Sequence, residues 1–300
     1  MLLTIDVGNT NTVLGLYADA TASSDLHSNE AAPSAGSTSI PSSGTAQHAE
    51  RELLAHWRVT TPNCQTSDEF GLVLHGLLEQ RGMHTAQVTG IAISSVVPNV
   101  DAMLRRVCDN SFHVRALFVE PGIKTGLPVL TDNPAEVGAD RIVNCVAAFE
   151  RYGSACIIVD MGTATTFDVL SAKGEYLGGA IAPGLGISAD ALFTHAARLP
   201  RVEIRKPAKI VGTNTIEHIQ IGLYYGYIGL VDGILDRLLD EVGRETRVVA
   251  TGGLASLIAG GSRFIGTVDE MLTLHGLRLL YERNVERHGD RHADRQRRRP

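Results

Sequence analysis

The sequence predicts an α/β fold built twice, and three observations predict it. First, Asp6-Val7-Gly8-Asn9-Thr10-Asn11-Thr12 returns in outline as Asp160-Met161-Gly162-Thr163-Ala164-Thr165-Thr166. Second, each copy follows an apolar run, at 1–5 and 157–159, and leads into another β-prone run, at 13–17 and 167–170. Third, strand-like and helix-like segments alternate after each copy, as in α/β domains. A single Asp-x-Gly-x-Thr is more often an ordinary hairpin turn. Its recurrence between strand-like flanks points further. Gly lets backbone N–H groups approach an anion, Thr and Asn add donors, and the Asp can hold a hydrated cation. Two such turns in two halves suggest a clamp around a nucleotide.

Composition sets the limits. The 300 residues are 44% hydrophobic, enough for a sizeable core and about two domains. The formal charge of -6 supplies no basic field for nucleic acid. An anionic nucleotide must therefore be held by local donors and a metal. Cys64, Cys108, Cys145 and Cys156 have no metal-ligand or redox spacing and read as buried small hydrophobes. The N-terminus lacks a basic leader and no apolar run suits a membrane span, so the expected location is cytoplasmic, with no membrane partner.

The elements follow in order. Strands are expected at 2–6 and 12–17. Residues 18–49 are Ser, Thr, Ala, Gly and Pro with almost no large apolar residue. Such a stretch cannot offset its ordering entropy and reads as a disordered insertion at a hairpin tip. A third strand spans 56–59. Thr66 or Ser67 caps a helix with Glu69 in its first turn, ending near Gly82. A buried strand at 88–97, a helix at 100–108 and a strand at 114–119 complete the first half. A loop over 124–137 leads to a helix at 139–152. The second half has strands at 155–160, 165–170 and 176–182, then a helix at 187–197. Gly212-Thr213-Asn214-Thr215 opens a long helix over 216–242. Its Gly222, Gly226 and Gly229 weaken propensity and allow close packing. A strand at 248–251, a Gly252-Gly253 turn, a short helix and a last helix at 271–282 follow. The Arg-rich end, with interleaved acids, reads as a frayed tail.

Two further motifs carry chemistry. Gly138-Ala139-Asp140-Arg141 sets an acid and a base at a helix N-terminus. Free N–H groups there favour an anion. Arg141 can fork onto a carboxylate, and Asp140 can accept a proton from an attacking hydroxyl. The plainer reading, first-turn charge compensation and a surface ion pair, carries slightly more weight for this motif alone. Thr251-Gly252-Gly253 allows a flat ring or ribose to lie close to backbone, or is simply a glycine-rich turn. Walker A, GxGxxG, HExxH and GxSxG motifs do not occur.

Taken together, these stretches resemble type III pantothenate kinases of the acetate and sugar kinase/Hsc70/actin superfamily. The resemblance covers about residues 1–17 and 52–284. It also includes Trp57-Arg58, Asp132-Asn133-Pro134, Gly178 to Gly184 and Ala250 to Gly253. It implies two duplicated ribonuclease-H-like (actin-like ATPase) domains with a nucleotide cleft between them. The corresponding divisions are 1–137, 138–284 and a basic tail at 285–300. It implies transfer of the ATP γ-phosphate to pantothenate, the first step toward coenzyme A. Asp6, Val7, Gly8, Asn9, Thr10, Asn11, Thr12, Val13 and Thr163 would bind ATP. Gly138, Ala139, Asp140, Arg141 and Thr215 would bind pantothenate, with Asp140 as general base. Asp160 would hold a monovalent cation, K⁺ or NH₄⁺, and Asp6 would lie near Mg²⁺. Family members are homodimers. The chain departs from the family pattern at Thr131, where many members have Tyr, and at Thr213, where Lys is frequent. A kinase for another small hydroxy acid, a phosphate-ester hydrolase and a nucleotide-dependent regulator without kinase activity remain alternatives.

Overall fold

The computed structural model describes residues 1–19 and 51–297, with side chains as far as 285. Residues 20–50, which hold almost all of the expected insertion, lie outside the described residues. The first sheet contains β1 (Leu2–Val7), β2 (Asn11–Tyr17), β3 (Leu53–Thr60), β4 (Gly90–Ser95) and β5 (Leu117–Phe118), in the order β3-β2-β1-β4-β5. The second contains β6 (Cys156–Met161), β7 (Ala164–Leu170), β8 (Tyr176–Pro183), β9 (Arg247–Thr251) and β10 (Thr267–Val268), in the order β10-β9-β6-β7-β8. The two orders are one topology. In each, an antiparallel three-strand meander is extended by parallel strands on the side of its first strand. The expected duplication is therefore present in the hydrogen-bond ladders. Register makes the equivalence specific: Asp6 pairs with Val13 and Ser94, and Asp160 with Thr166 and Thr251.

Helices separate and cover the sheets. Helix α1 (Ser67–Glu79) starts at a reciprocal capping box between Thr66 and Glu69, which satisfies two otherwise orphaned backbone donors. With α2 (Pro98–Val107) it buries Phe70, Leu74, Val100 and Leu104 against the first sheet. Helix α3 (Ala139–Tyr152) spans the expected residues. It packs with α7 (Leu272–Arg297) between the two sheets, in a core that joins Ala92 of β4 to Ile158 and Leu170 of the second sheet. The two helices approach so closely that a Cβ on Gly276 would lie 2.2 Å from the Val143 carbonyl. Outside the second sheet lie α4 (Leu185–His195), α5 (Thr215–Val242) and α6 (Ala255–Ala259). Tyr224, Val231 and Leu235 of α5 are buried against β6, β7 and β9.

Several expectations change. The strand expected at 114–119 shortens to β5, since only Leu117 and Phe118 pair with β4; before it, a π-helical turn at Cys108–Phe112 prolongs α2 and ends at His113 with φ of 55°. Helix α7 continues past 282 to Arg297 rather than fraying there. Arg and acidic residues alternate through that end of the sequence with a period of four, close to a helical turn. Gly222, Gly226 and Gly229, which allow close packing, face open space among the described residues: an added Cβ on any of them meets nothing within 4 Å. Of the cysteines, Cys108, Cys145 and Cys156 are buried as expected, but Cys64 is exposed. Among the described residues, no helix is long and apolar enough to cross a membrane.

Candidate active site

The two repeated turns meet across the gap between the halves. In the first, the Gly8 N–H donates to the Asn11 carbonyl at 3.0 Å. In the second, the Gly162 N–H donates to the Ala164 carbonyl at the same distance. The Thr10 and Thr163 hydroxyls lie 3.1 Å apart, so the tips of the turns touch. Gly8 is partly exposed, and Asn9, Thr10 and Asn11 are exposed. Thr12 is fully buried instead. Its hydroxyl lies 3.2 Å from that of Thr61, which donates to the Gly8 carbonyl at 2.5 Å. Thr12 therefore shapes the turn from behind, and the exposed residues of 8–11 present the donors.

Helix α3 brings the third component. Its first turn lies at the edge of the inter-sheet core and carries Asp140. Asp140 Oδ1 accepts the Arg141 N–H at 2.8 Å. Gly138 permits this, since a Cβ there would lie 2.6 Å from the same oxygen. Asp6, Asp140 and Asp160 then share one field. Burial first, then the charges of Asp140 and Asp160, hold the Asp6 carboxyl well above the usual carboxylate range, and the nearby Ser94 hydroxyl pulls weakly the other way. Burial and then Asp140 push Asp160 up to about 7, against a lowering hydrogen bond from Asn144. Burial also raises Asp140 itself. Three carboxyls raised together resist simultaneous ionisation unless positive charge joins them.

The second half supports its acid with a polar network. Asn144 Nδ2 donates to Asp160 Oδ2 at 2.9 Å and is itself fixed by the Thr273 hydroxyl, which donates to Asn144 Oδ1 at 2.7 Å. Next to it, fully buried Asp168 accepts from Arg141 Nε at 2.7 Å, from the Tyr176 hydroxyl at 2.9 Å and from the Thr166 hydroxyl at 3.1 Å. Gly252, at φ of 92°, lies against Asp160, where a Cβ would approach Oδ1 to 2.7 Å. Gly184, the N-cap of α4, lies against Thr163 and donates its N–H to the Thr163 carbonyl at 3.0 Å. These glycines serve close contacts within the protein.

A family model for type III pantothenate kinases matches residues 35–237. The chain belongs to the type III pantothenate kinase family. The family places it among ATP-dependent kinases, which are transferases. A type III pantothenate kinase of Koribacter versatilis is 55% identical over 95% of this chain and 96% of its own length. One from Acidobacterium capsulatum is 52% identical over 94% of each chain. Among solved structures, a conserved putative Baf family transcriptional activator from Campylobacter jejuni matches with a TM-score of 0.53 at 16% identity, covering 94% of this chain and 98% of that one. A putative 2-dehydro-3-deoxygalactonokinase from Sinorhizobium meliloti matches with a TM-score of 0.51 at 10% identity, covering 94% and 99%. These two structures share the duplicated α/β fold.

Within this type III pantothenate kinase fold, the structure brings together Asp6, Asp140 and Asp160, and joins Thr10 to Thr163. Val7 is buried in the first core, and Val13 packs near Leu274 on the inner face of the first sheet. Ala139 and Gly138 are partly buried at the start of α3. Thr215 is exposed in the first turn of α5, where Asn214 caps the Glu217 N–H. No hydrogen bond among the described residues joins Thr215 to the acids. Arg141 is held in an ion pair, as the plainer reading expected, but with buried Asp168 and not at the surface. Sequence reasoning gave no role to Ser94, Asn144, Asp168 or Tyr176. Two of these carried a signal. Asn144 follows Asp140 by one helical turn, and Asp168 shares a strand face with Thr166.

Proposed function

We propose that the protein transfers the γ-phosphate of ATP to the primary hydroxyl of pantothenate, giving 4′-phosphopantothenate and opening coenzyme A biosynthesis. The observation that carries this reading is the convergence of Asp140, at the start of α3, with the two turn acids Asp6 and Asp160. Residues 8–11 and Thr163 offer donors to the ATP phosphates, with Asp6 at the same turn. Gly138 to Arg141 and Thr215 bind pantothenate. Asp140 receives the hydroxyl proton as the oxygen attacks phosphorus, and its raised affinity for a proton suits that task. Arg141, held on one side by Asp168, offers the rest of its guanidinium to the pantothenate carboxylate.

The carboxylates of Asp6 and Asp160 are hard oxygen donors that would suit Mg²⁺ near Asp6 and K⁺ or NH₄⁺ at Asp160; among the described residues no three acidic, His or Cys side chains form a metal cage, so phosphate oxygens and water would complete either set. When bound, these ions supply charge neutralisation for the acids and the transferring phosphoryl group. The reading also includes domains at 1–137 and 138–284 and a cytoplasmic homodimer. Exposed Ile216, Tyr225 and Leu230 on α5, beside its open glycines, support a subunit contact there.

The test is ADP release from ATP, Mg²⁺ and K⁺ with pantothenate as the only acceptor. Release that requires pantothenate supports the reading. Release only with other hydroxy acids, or none with any acceptor, defeats it.

A further inference from the structure

One cation near the site has no role in the reaction as described. Arg58 lies on β3 in register with Val13 of β2. Its neighbours Trp57 and Val59 pack into the outer core of the first sheet, while Val13 packs on the inner face with Leu274. Arg58 shares that inner face, the one turned toward the second half. It is exposed and makes no ion pair or hydrogen bond among the described residues. Its guanidinium nevertheless crosses to the other half. Nη1 lies so close to Gly253 that a Cβ there would come within 2.5 Å of it. The preceding residue, Gly252, lies against Asp160. The turn between β9 and α6 therefore has the acid site beside one glycine and an uncommitted guanidinium beside the next.

The first turn is near in the other direction. Asn11, at its end, is two residues along β2 from Val13, a rise of about 7 Å. An extended arginine side chain spans that distance. We propose that Arg58 is a nucleotide-binding residue, whose guanidinium takes phosphate oxygens between the Gly8–Asn11 turn and the Gly252-Gly253 turn. The charge balance supports this role. Asp6, Asp140 and Asp160 repel a polyphosphate, so a cation from the protein offsets part of that cost beside any metal ion. A planar guanidinium also grips two phosphate oxygens at once, which an ammonium does not. Because Arg58 belongs to the first half and touches the second, the bound phosphate ties the halves together.

This inference rests on a nucleotide occupying the site but not on pantothenate as acceptor. The competing role is a strut between the halves that never meets ligand. Wild type, Arg58→Gln and Arg58→Lys would be compared in the full chain by calorimetry with ATP and with adenosine, and by melting without ligand. The expected result is ATP binding about ten- to a hundredfold weaker in Arg58→Gln, adenosine binding unchanged, and partial recovery in Arg58→Lys. Wild-type ATP affinity in Arg58→Gln, with or without a lower melting temperature, overturns the proposal in favour of the strut. Equal losses for ATP and adenosine also overturn it, as does a wild type that binds no ATP. If Arg58→Gln does not fold, Arg58→Lys decides: unchanged ATP affinity overturns, and weaker ATP with unchanged adenosine supports. A wild type that binds ATP through Arg58 but releases no ADP with pantothenate removes only the acceptor assignment.

Discussion

The two halves carry the same sheet and the same acid at the end of the same strand, yet they hold that acid differently. Asp6 closes β1 with only the Ser94 hydroxyl lowering its raised proton affinity. Asp160 closes β6 with Asn144 donating to it, Thr273 fixing Asn144, and the Asp168–Arg141–Tyr176 cluster alongside. The first turn is instead braced from behind through Thr12 and Thr61. Duplication thus supplied two equivalent positions, and side-chain surroundings made them unequal. A sparsely supported carboxylate at an exposed turn suits ligand charge that arrives and leaves with each turnover. A carboxylate held by a fixed amide suits a more permanent ion.

The strongest way to break this division is at the residue outside both turns. Asp140→Asn is expected to bind ATP normally and to lose about a hundred- to ten-thousandfold in turnover, read by ADP release beside an ATP titration. Near-normal turnover would remove Asp140 from the base role. The next effect falls on Asp168. Asp168→Asn weakens the charge that holds Arg141, so the KM for pantothenate is expected to rise about tenfold or more while the KM for ATP stays nearly constant. A uniform fall in kcat with both KM values unchanged would show that Arg141 does not meet the carboxylate.

A third effect concerns pH. The folded pKa of Asp160 is about 7, above the unfolded value near 3.9. Between those values the folded state binds the extra proton. The contribution of this group to stability is therefore fully retained below about pH 4 and is lost as pH rises toward 7. Melting of the ligand-free protein should show that decline, and Asp160→Asn should flatten it and raise the melting temperature at pH 8. An unchanged pH profile in Asp160→Asn would contradict the crowding of acids. The smallest effect is expected at the brace. Thr61→Val should cost about 1 kcal/mol by removing the bond to Gly8, seen in denaturant melts, with a modest rise in the KM for ATP.

The sequence made the frame legible because the frame depends on local signals. Alternating strands, the Thr66 to Glu69 cap and the apolar spacing of α3 each act within a few residues. The two turns were visible because they repeat. What stayed hidden depends on separation in the chain. Asp168 meets Arg141 across 27 residues, and Thr273 meets Asn144 across 129. Nor could spacing show that Gly252 and Gly253 accommodate Asp160 and Arg58, since that closeness exists only once the halves are assembled. The glycines of α5 show the same limit from the other side: their spacing permits close packing, but nothing local says what would use it, and among the described residues they face open space.

The inequality of the two turn acids is tested most directly by measuring ADP release with ATP, Mg²⁺ and pantothenate while K⁺ is titrated, in wild type, Asp6→Asn and Asp160→Asn. Wild type should show saturable K⁺ activation that Na⁺ does not reproduce. Asp6→Asn should keep that K⁺ dependence while its KM for ATP and Mg²⁺ rises, and Asp160→Asn should lose it. An unaltered K⁺ response in Asp160→Asn, or its loss in Asp6→Asn alone, would contradict the account.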